Sequence, residues 1–205
     1  MMAKVTLSNT EKNLVLNQEI FLTKNAVIEK VYQLFCTVDL FYKEQLQELN
    51  NLPNSIKSSN GKISKGENYL QMPWVMLDSP NYFKGINVFA VRTFFWWGNY
   101  ISINFLITGC LVDDIKYTLL KTKSNFKDWS LCIHESPWHH HFKEDNFIKL
   151  EQAPSSQIEG MKFIKLAKKI PLQEWDSVEY FLKENFQQLA KLVDETNFQA
   201  YEKVL

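Results

Sequence analysis

The sequence predicts an α+β fold in which a predominantly antiparallel sheet of about five or six strands carries two long helices on one face. Two stretches near the ends of the chain, residues 25–50 and 176–195, repeat apolar residues every three to four positions, as amphipathic helices do. The stretch between them, residues 69–170, contains several short runs rich in β-branched and aromatic residues. We therefore expect a single domain over residues 1–205, with the N-terminal and C-terminal helices packed on a central sheet.

Local signals mark the ends of these helices. Asn25 can cap the first helix, and Asn50-Asn51-Leu52-Pro53 stops it. Asp176-Ser177-Val178-Glu179 has the form of a capping box and begins the second helix. Residues 54–68 are polar and contain glycine, which predicts a mobile loop.

Six segments between the helices have the composition of strands. Turn residues separate most of them, and a short helix at residues 113–121 is expected to connect two of them. The predicted strands cover residues 69–77, 88–97, 100–108, 128–135 and 161–170, with a weaker strand at 146–150.

The best-defined local unit is a hairpin around Gly98-Asn99. A two-residue turn with glycine first matches the twist of paired strands. That register places Arg92 opposite Phe105, on a face that is otherwise apolar. A slip of one residue would change the cross-strand partners, but Arg92 would still share a face with Ala90 and Phe94.

Arg92 is the first candidate site residue, because it is the only arginine among 23 basic residues. Arginine supplies a planar fork of donors that holds a carboxylate or phosphate with two parallel hydrogen bonds, which lysine does not. A charge among apolar residues requires a partner. We expect an internal ion pair with Asp78 or Glu135; the alternative is a pocket in which Arg92 binds an anionic ligand.

The second candidate site is a cluster that contains all four histidines, His134-Glu-Ser-Pro-Trp-His-His-His141. Imidazole groups at this density could bind zinc or another divalent metal through His134, His139 and His141. The spacing matches no established ligand motif, and Pro137 excludes a helix through the segment. A structural loop and a role in acid–base or pH-sensing chemistry are the other interpretations.

Aromatic residues suggest a surface for a partner. They make up 14% of the chain, and two helices cover little more than one face of a sheet. Trp97, Tyr100 and Phe95 are the residues that we expect at a cleft or at the contact of a homodimer.

The charge balance and the cysteines limit the partners and the cellular compartment that we expect for the protein. The 23 basic residues balance 23 acidic ones, so general binding to nucleic acid is not expected. The lysine group Lys162, Lys165, Lys168 and Lys169 is interpreted as a solvated face. No apolar run reaches the length of a membrane-spanning helix. The cysteines Cys36, Cys110 and Cys132 lack paired spacing, which suggests free thiols in a cytoplasmic protein.

These observations lead to two functional hypotheses. The sequence contains no nucleophile elbow, phosphate-binding loop or dinucleotide motif, so catalytic residues are unassigned and no cofactor is expected. The favoured hypothesis is a non-catalytic binding or protein-interaction protein. The alternative is a metal-assisted hydrolase built on His134, Glu135, His139 and His141, in which Arg92 holds an anionic substrate.

Overall fold

Seven strands form one antiparallel sheet in the computed structural model, which describes residues 5–198 and 201. The strand order is β1-β2-β3-β4-β7-β5-β6, so the first four strands form a meander and β7 returns beside β4. The strands are β1 (Lys62–Tyr69), β2 (Met72–Lys84), β3 (Asn87–Trp96), β4 (Tyr100–Thr108), β5 (Ser130–Cys132), β6 (Phe147–Lys149) and β7 (Phe163–Pro171).

Six α-helices accompany the sheet in the described part of the chain. Their bounds are α1 (Asn9–Leu16), α2 (Gln18–Glu48), α3 (Asn54–Lys57), α4 (Val112–Thr122), α5 (Ser155–Glu159) and α6 (Val178–Asp194). Helix α4 follows β4 closely, and α6 follows β7. Within the described residues, no helix has both the length and the apolar content that crossing a bilayer requires.

The main core lies between the helices and one face of the sheet. Helix α2 buries one face through Val31, Phe35, Val38, Tyr42 and Leu46, and the ring of Tyr42 stacks on Phe186 of α6 at 3.8 Å between centroids. Alternate residues of the strands complete this core, because side chains in a strand point alternately to the two faces. The sheet residues in this core include Val75, Leu77, Val91, Phe95, Ile101, Ile103, Phe105, Ile107, Ile164 and Leu166.

The α+β class and the antiparallel sheet are confirmed, and several details of the prediction are wrong. Helix α6 begins at Val178 after Ser177, which makes no side-chain capping bond, so the predicted capping box at residues 176–179 does not form. The sheet has seven strands, because residues 54–68 are not a loop: they contain α3 and most of β1. Strand β1 was missed because it is polar and half exposed at the edge of the sheet, where charged residues are common. Helix α2 begins at Gln18, where Asn17 Oδ1 accepts a hydrogen bond from Glu19 N at 3.1 Å, so Asn25 lies inside the helix and does not cap it.

The hairpin register is also wrong by one residue. Three residues, 97–99, connect β3 to β4, and Gly98 adopts a left-handed φ of 71°. Arg92 therefore faces Asn104 instead of Phe105. This register sends the isoleucines of β4 and Phe105 into the core under the helices and leaves Arg92 on the opposite face. As expected for a slip of one residue, Ala90 and Phe94 still share that face.

The second face of the sheet is covered by the segment that links β5 to β6. We call residues 133–146 the covering segment. Its Phe142 packs on Tyr100 in an edge-to-face arrangement at 5.4 Å and stacks on Phe147 at 4.7 Å. The covering segment thus buries the middle of the second face, and charged side chains that point away from the helices do not necessarily reach solvent.

Candidate functional site

Arg92 forms a two-bond ion pair with Asp78. The two residues lie directly opposite each other on β3 and β2, and their side chains are only 13% and 7% exposed. Arg92 Nε donates to Asp78 Oδ1 at 2.7 Å, and Nη2 donates to Oδ2 at 2.9 Å. Asp78 is therefore the partner, and Glu135 lies on the covering segment without such a bond to Arg92. This geometry uses the planar fork that distinguishes arginine from lysine.

The third nitrogen of the Arg92 guanidinium meets the covering segment. Arg92 Nη1 lies 3.3 Å from His140 Nε2, and the guanidinium carbon lies 5.6 Å from the centroid of the Trp138 ring. His140 stacks on Phe94 at 4.6 Å. Burial, followed by the charges of Lys165 and Arg92, holds the pKa of His140 well below its usual value. A neutral imidazole can accept the hydrogen bond from Arg92.

Lys165 is a buried member of the same cluster, with 1% of its surface exposed. Its ammonium donates to Pro137 O at 2.7 Å and also to His139 O. Burial is the main reason that the pKa of Lys165 falls to about 7, and the charge of Arg92 acts in the same direction. The expectation of a solvated lysine face is wrong for this residue, because the face that Lys165 shares with Ala167 lies under the covering segment.

Two tyrosines hold the backbone of the covering segment. Tyr69 Oη accepts hydrogen bonds from His140 N at 2.7 Å and His141 N at 3.1 Å. Tyr100 Oη donates to His140 O at 3.0 Å. Together with Lys165, they tie the segment to three strands of the sheet. We call Asp78, Arg92, His140 and Lys165 the buried cluster.

The buried cluster has almost no free space. The cavity beside it measures about 10 Å³, which is room for about one water molecule. Small-molecule sites usually enclose about 300–1,000 Å³. Asn104 Oδ1 and His140 Nδ1 are buried without a hydrogen-bond partner among the described residues, and both residues line this cavity. As folded, the cluster cannot admit an organic substrate.

The histidines proposed as metal ligands lie close together. A bend at residues 134–135 and a turn at 137–138 bring the rings of His134 and His139 to 4.3 Å between centroids, and the ring of His139 lies 5.5 Å from that of His141. His134 Nδ1 accepts a hydrogen bond from Ser136 N at 2.9 Å, which places the proton of a neutral ring on Nε2 and leaves neither nitrogen free for a metal. No group of three or more His, Cys, Asp or Glu side chains in the described part of the chain is arranged to hold a metal ion.

An open depression adjoins these histidines. It measures about 510 Å³ and is lined by His134, Glu135 and residues 161–163. Another depression of about 450 Å³ lies between Lys149 and Lys168. Arg92 lines neither of them, so the structure does not bring Arg92 and the His134–Glu135 pair to one open site.

The aromatic residues proposed for a partner surface lie on two different faces. Phe95 is 2% exposed in the core under the helices, and Trp97 packs against the same core. Tyr100 is buried under the covering segment. Neither face of the sheet presents these three residues together.

Among the described residues, a run of exposed apolar side chains lies elsewhere, at residues 5–23, which we call the arm. Every residue of the arm is exposed. The arm contains α1 and the start of α2, and Leu14, Val15, Leu16, Ile20, Phe21 and Leu22 each expose between 45% and 79% of their surface. Sequence reasoning missed this surface, although the run Leu14-Val-Leu-Asn-Gln-Glu-Ile-Phe-Leu22 was the available signal.

Local capping explains why the arm is helical without packing. Ser8 Oγ accepts from Glu11 N at 3.2 Å, and the Glu11 carboxylate accepts from Ser8 N at 2.6 Å, which is a complete capping box. Lys24 of α2, just beyond the arm, forms an ion pair with Glu67 of β1. Isolated helices shorter than about 12–15 residues are only marginally stable in water. A partner surface would therefore stabilise α1.

Comparisons with protein-family models, with curated proteins and with solved structures found no match for this chain. Its function must therefore be argued from the geometry of its own residues.

Proposed function

We propose that this protein is a non-catalytic protein-interaction protein whose contact element is the arm, residues 5–23. One observation carries the proposal: a helical segment has six exposed large apolar side chains, and none of its residues belongs to a core cluster of the described part of the chain. Contiguous exposed apolar surface of this kind is typical of binding sites for proteins or membranes. The polar groups that first suggested a site are instead paired with one another.

Charge and shape favour a protein partner over a lipid surface. Helices that lie on membranes carry Lys and Arg on their polar face, whereas the arm carries Lys12 against Glu11 and Glu19. Successive helical residues are about 100° apart, so three in a row span about 200° of the helix surface. The arm has two such runs, 14–16 and 20–22. A protein surface that surrounds the helix can contact all of these side chains, whereas a flat membrane interface can contact only one side of the helix.

The alternative, a metal-assisted hydrolase, receives less support. Arg92 is committed to Asp78, and a neutral His134 keeps its proton on Nε2. An anionic substrate would have to displace Asp78 from a pair that is almost buried, which costs several kcal/mol. We therefore retain the interaction function as the proposal.

Cross-linking in cells that produce the protein tests it. Lys12 is the only lysine in the arm, so an amine-reactive cross-linker should join Lys12 to a second polypeptide, which mass spectrometry identifies. Ile20→Glu should abolish these cross-links, because it places a charge in the apolar contact. The matched control is Leu40→Glu, at a leucine of α2 that is 63% exposed outside the arm, and it should retain them. Cross-links from Lys12 that are confined to its own chain, or unchanged by Ile20→Glu, would refute the proposal.

A further inference from the structure

One end of strand β7 has no neighbouring strand on the side of β5. Strand β7 pairs with β4 along its whole length, whereas β5 pairs only with Leu166 and Ala167. The chain turns at residues 127–128, shortly before β5, and does not pair with the end of β7. We call residues 168–171 of β7 the open edge.

Backbone groups of the open edge are available to another chain. Successive residues of a strand direct their N–H and C=O groups to opposite neighbours, so two of these four residues direct them away from β4. Within the described residues, no backbone hydrogen bond reaches them from that side. Unpaired backbone groups at the edge of a sheet are a template for a further strand.

The depression of about 450 Å³ beside the open edge provides room for such a strand. Ser130 of β5, Lys149 of β6, and Lys168 and Lys169 of the open edge are among the residues that line it. Its volume lies within the range of about 300–1,000 Å³ that is usual for ligand sites. The open edge is about 13 Å long at the rise of a strand, so three or four residues of a partner suffice to cover it.

Three lysines line this depression without a carboxylate partner. Lys149 Nζ donates to the backbone carbonyl of Asp128 at 3.3 Å, and Lys169 Nζ lies 5.0 Å from the centroids of two aromatic rings. Lys168 is half-buried, and no ion pair among the described residues contains any of the three lysines. Asp128 is the one acidic residue at the depression. The complementary group on a partner is therefore a carboxylate.

We infer that the open edge binds an extended segment of another protein that carries two consecutive acidic residues. Successive side chains of a strand point to opposite faces, so Lys168 and Lys169 present their charges on the two faces of the sheet. Residues directly opposite each other on paired strands have neighbouring side chains. An acidic residue opposite each lysine therefore requires carboxylates at adjacent positions of the partner.

The same lysines disfavour a second copy of this chain as the partner. Two open edges paired with each other would bring lysines together, and like charges on paired strands are destabilising. No residue of the arm lines the depression, so this inference goes beyond the proposed function and does not rest on it.

Fluorescence anisotropy with a labelled peptide and the full chain tests the inference. The probe is the peptide Thr-Val-Glu-Glu-Val-Thr, and its control is Thr-Val-Gln-Gln-Val-Thr. The acidic peptide should bind with a dissociation constant below about 1 mM, and the glutamine peptide should bind at least about tenfold more weakly.

Variants of the open edge locate the binding site. Lys168→Glu and Lys169→Glu should each raise the dissociation constant by at least about tenfold, because each places a like charge beside a glutamate of the peptide. Lys169 is exposed, so Lys169→Glu should leave the fold intact and is the decisive variant. The matched control is Lys162→Glu, which makes the same charge change outside the depression and should alter the dissociation constant by less than about twofold at physiological salt.

Methylation of the peptide backbone distinguishes strand addition from charge attraction alone. One of any two consecutive residues directs its N–H to β7, so methylation of both glutamate nitrogens removes a donor in either register. This peptide keeps both carboxylates and should bind at least about tenfold more weakly than the unmethylated probe.

Four results would overturn the inference. They are no binding of the acidic peptide, equal binding to wild type and Lys169→Glu, equal binding of the methylated peptide, and tighter binding of an oligothymidylate that also depends on Lys169. The arm is tested separately, because Ile20→Glu should leave peptide binding unchanged while it abolishes the cross-links from Lys12.

Discussion

The buried cluster and the arm reverse the usual distribution of residues in a folded protein. Charged side chains are almost never fully buried unless they are paired, and large apolar side chains are mostly inside. Here Arg92 and Lys165 lie inside the protein and their charged groups are hydrogen-bonded, whereas Phe21 and its neighbours in the arm are exposed. The charged groups of the cluster therefore have partners in this fold, and the apolar side chains of the arm belong to no core cluster of the described residues.

Because of this difference, substitutions in the cluster should change the stability of the fold, whereas substitutions in the arm should change association with a partner. A substitution in the cluster leaves a desolvated group without its partner, so it should lower the free energy of unfolding. A substitution in the arm removes no contact of the core, so it should leave folding intact and change only what the protein binds. Variants of the two regions should therefore differ in whether they change stability or binding.

The largest effect is expected at the Arg92–Asp78 pair. Arg92→Leu leaves the carboxylate of Asp78 buried and unpaired, which should lower the free energy of unfolding by about 3–5 kcal/mol. Arg92→Lys keeps the charge but loses the two-bond fork, and should cost about 1–3 kcal/mol. Urea unfolding followed by far-ultraviolet circular dichroism measures both.

A second ion pair provides the control. Lys43 and Asp39 are bonded at 2.7 Å within α2, where their side chains are 37% and 18% exposed, and Lys43→Met should cost about 1 kcal/mol because the pair is only partly buried. If Arg92→Leu destabilises the protein no more than Lys43→Met does, the cluster does not hold the two strands together and the contrast with the arm fails.

Arg92 shows how much of this site the sequence could predict. A single arginine among lysines, inside an apolar strand, indicated a paired guanidinium, and Asp78 was one of two expected partners. The composition and the alternation of side chains are enough to predict a partner for Arg92, because burying an unpaired charge in an apolar strand costs too much free energy. The strand positions were also close, since β3 and β4 match the predicted runs within one residue.

The hairpin register, the burial of Lys165 and the exposure of the arm depend on tertiary contacts, which the sequence pattern alone does not reveal. Turn length shifted the hairpin register, because three residues connect the strands where two were expected. Lys165 alternates with apolar residues, as a solvent-facing lysine does. It is buried only because the covering segment packs over it. The arm has good helical signals, and only the tertiary structure shows that its apolar residues have no core to join.

An intermediate effect is expected from the protonation of Lys165. The unfolded amine titrates near its ordinary pKa of about 10.4, whereas burial lowers the pKa of Lys165 to about 7 in the folded protein. Between these values the unfolded chain binds more protons, so the free energy of unfolding should rise with pH. We expect a gain of about 1 kcal/mol between about pH 7 and pH 8, measured by urea unfolding at each pH.

Lys165→Met isolates this contribution. The variant has no amine to titrate and leaves Pro137 O and His139 O without their donor, so it should be less stable and should lack the gain. The rise in the free energy of unfolding should end near pH 8. Burial raises the pKa of the Cys132 thiol in the folded protein, so the thiol ionises at lower pH in the unfolded chain. This ionisation favours the unfolded chain and opposes the gain at higher pH. An equal gain in the wild type and in Lys165→Met would show that other groups cause it.

The smallest effect is expected in the arm. Leu16 is 79% exposed, and no residue of α1 is buried among those that the structure describes, so Leu16→Lys removes no core contact. The variant and the wild type should therefore unfold within about 0.5 kcal/mol of each other, measured by urea unfolding. A large loss of stability in the variant would mean that α1 packs on the rest of its own chain, and the contrast between the buried cluster and the exposed arm would then be wrong.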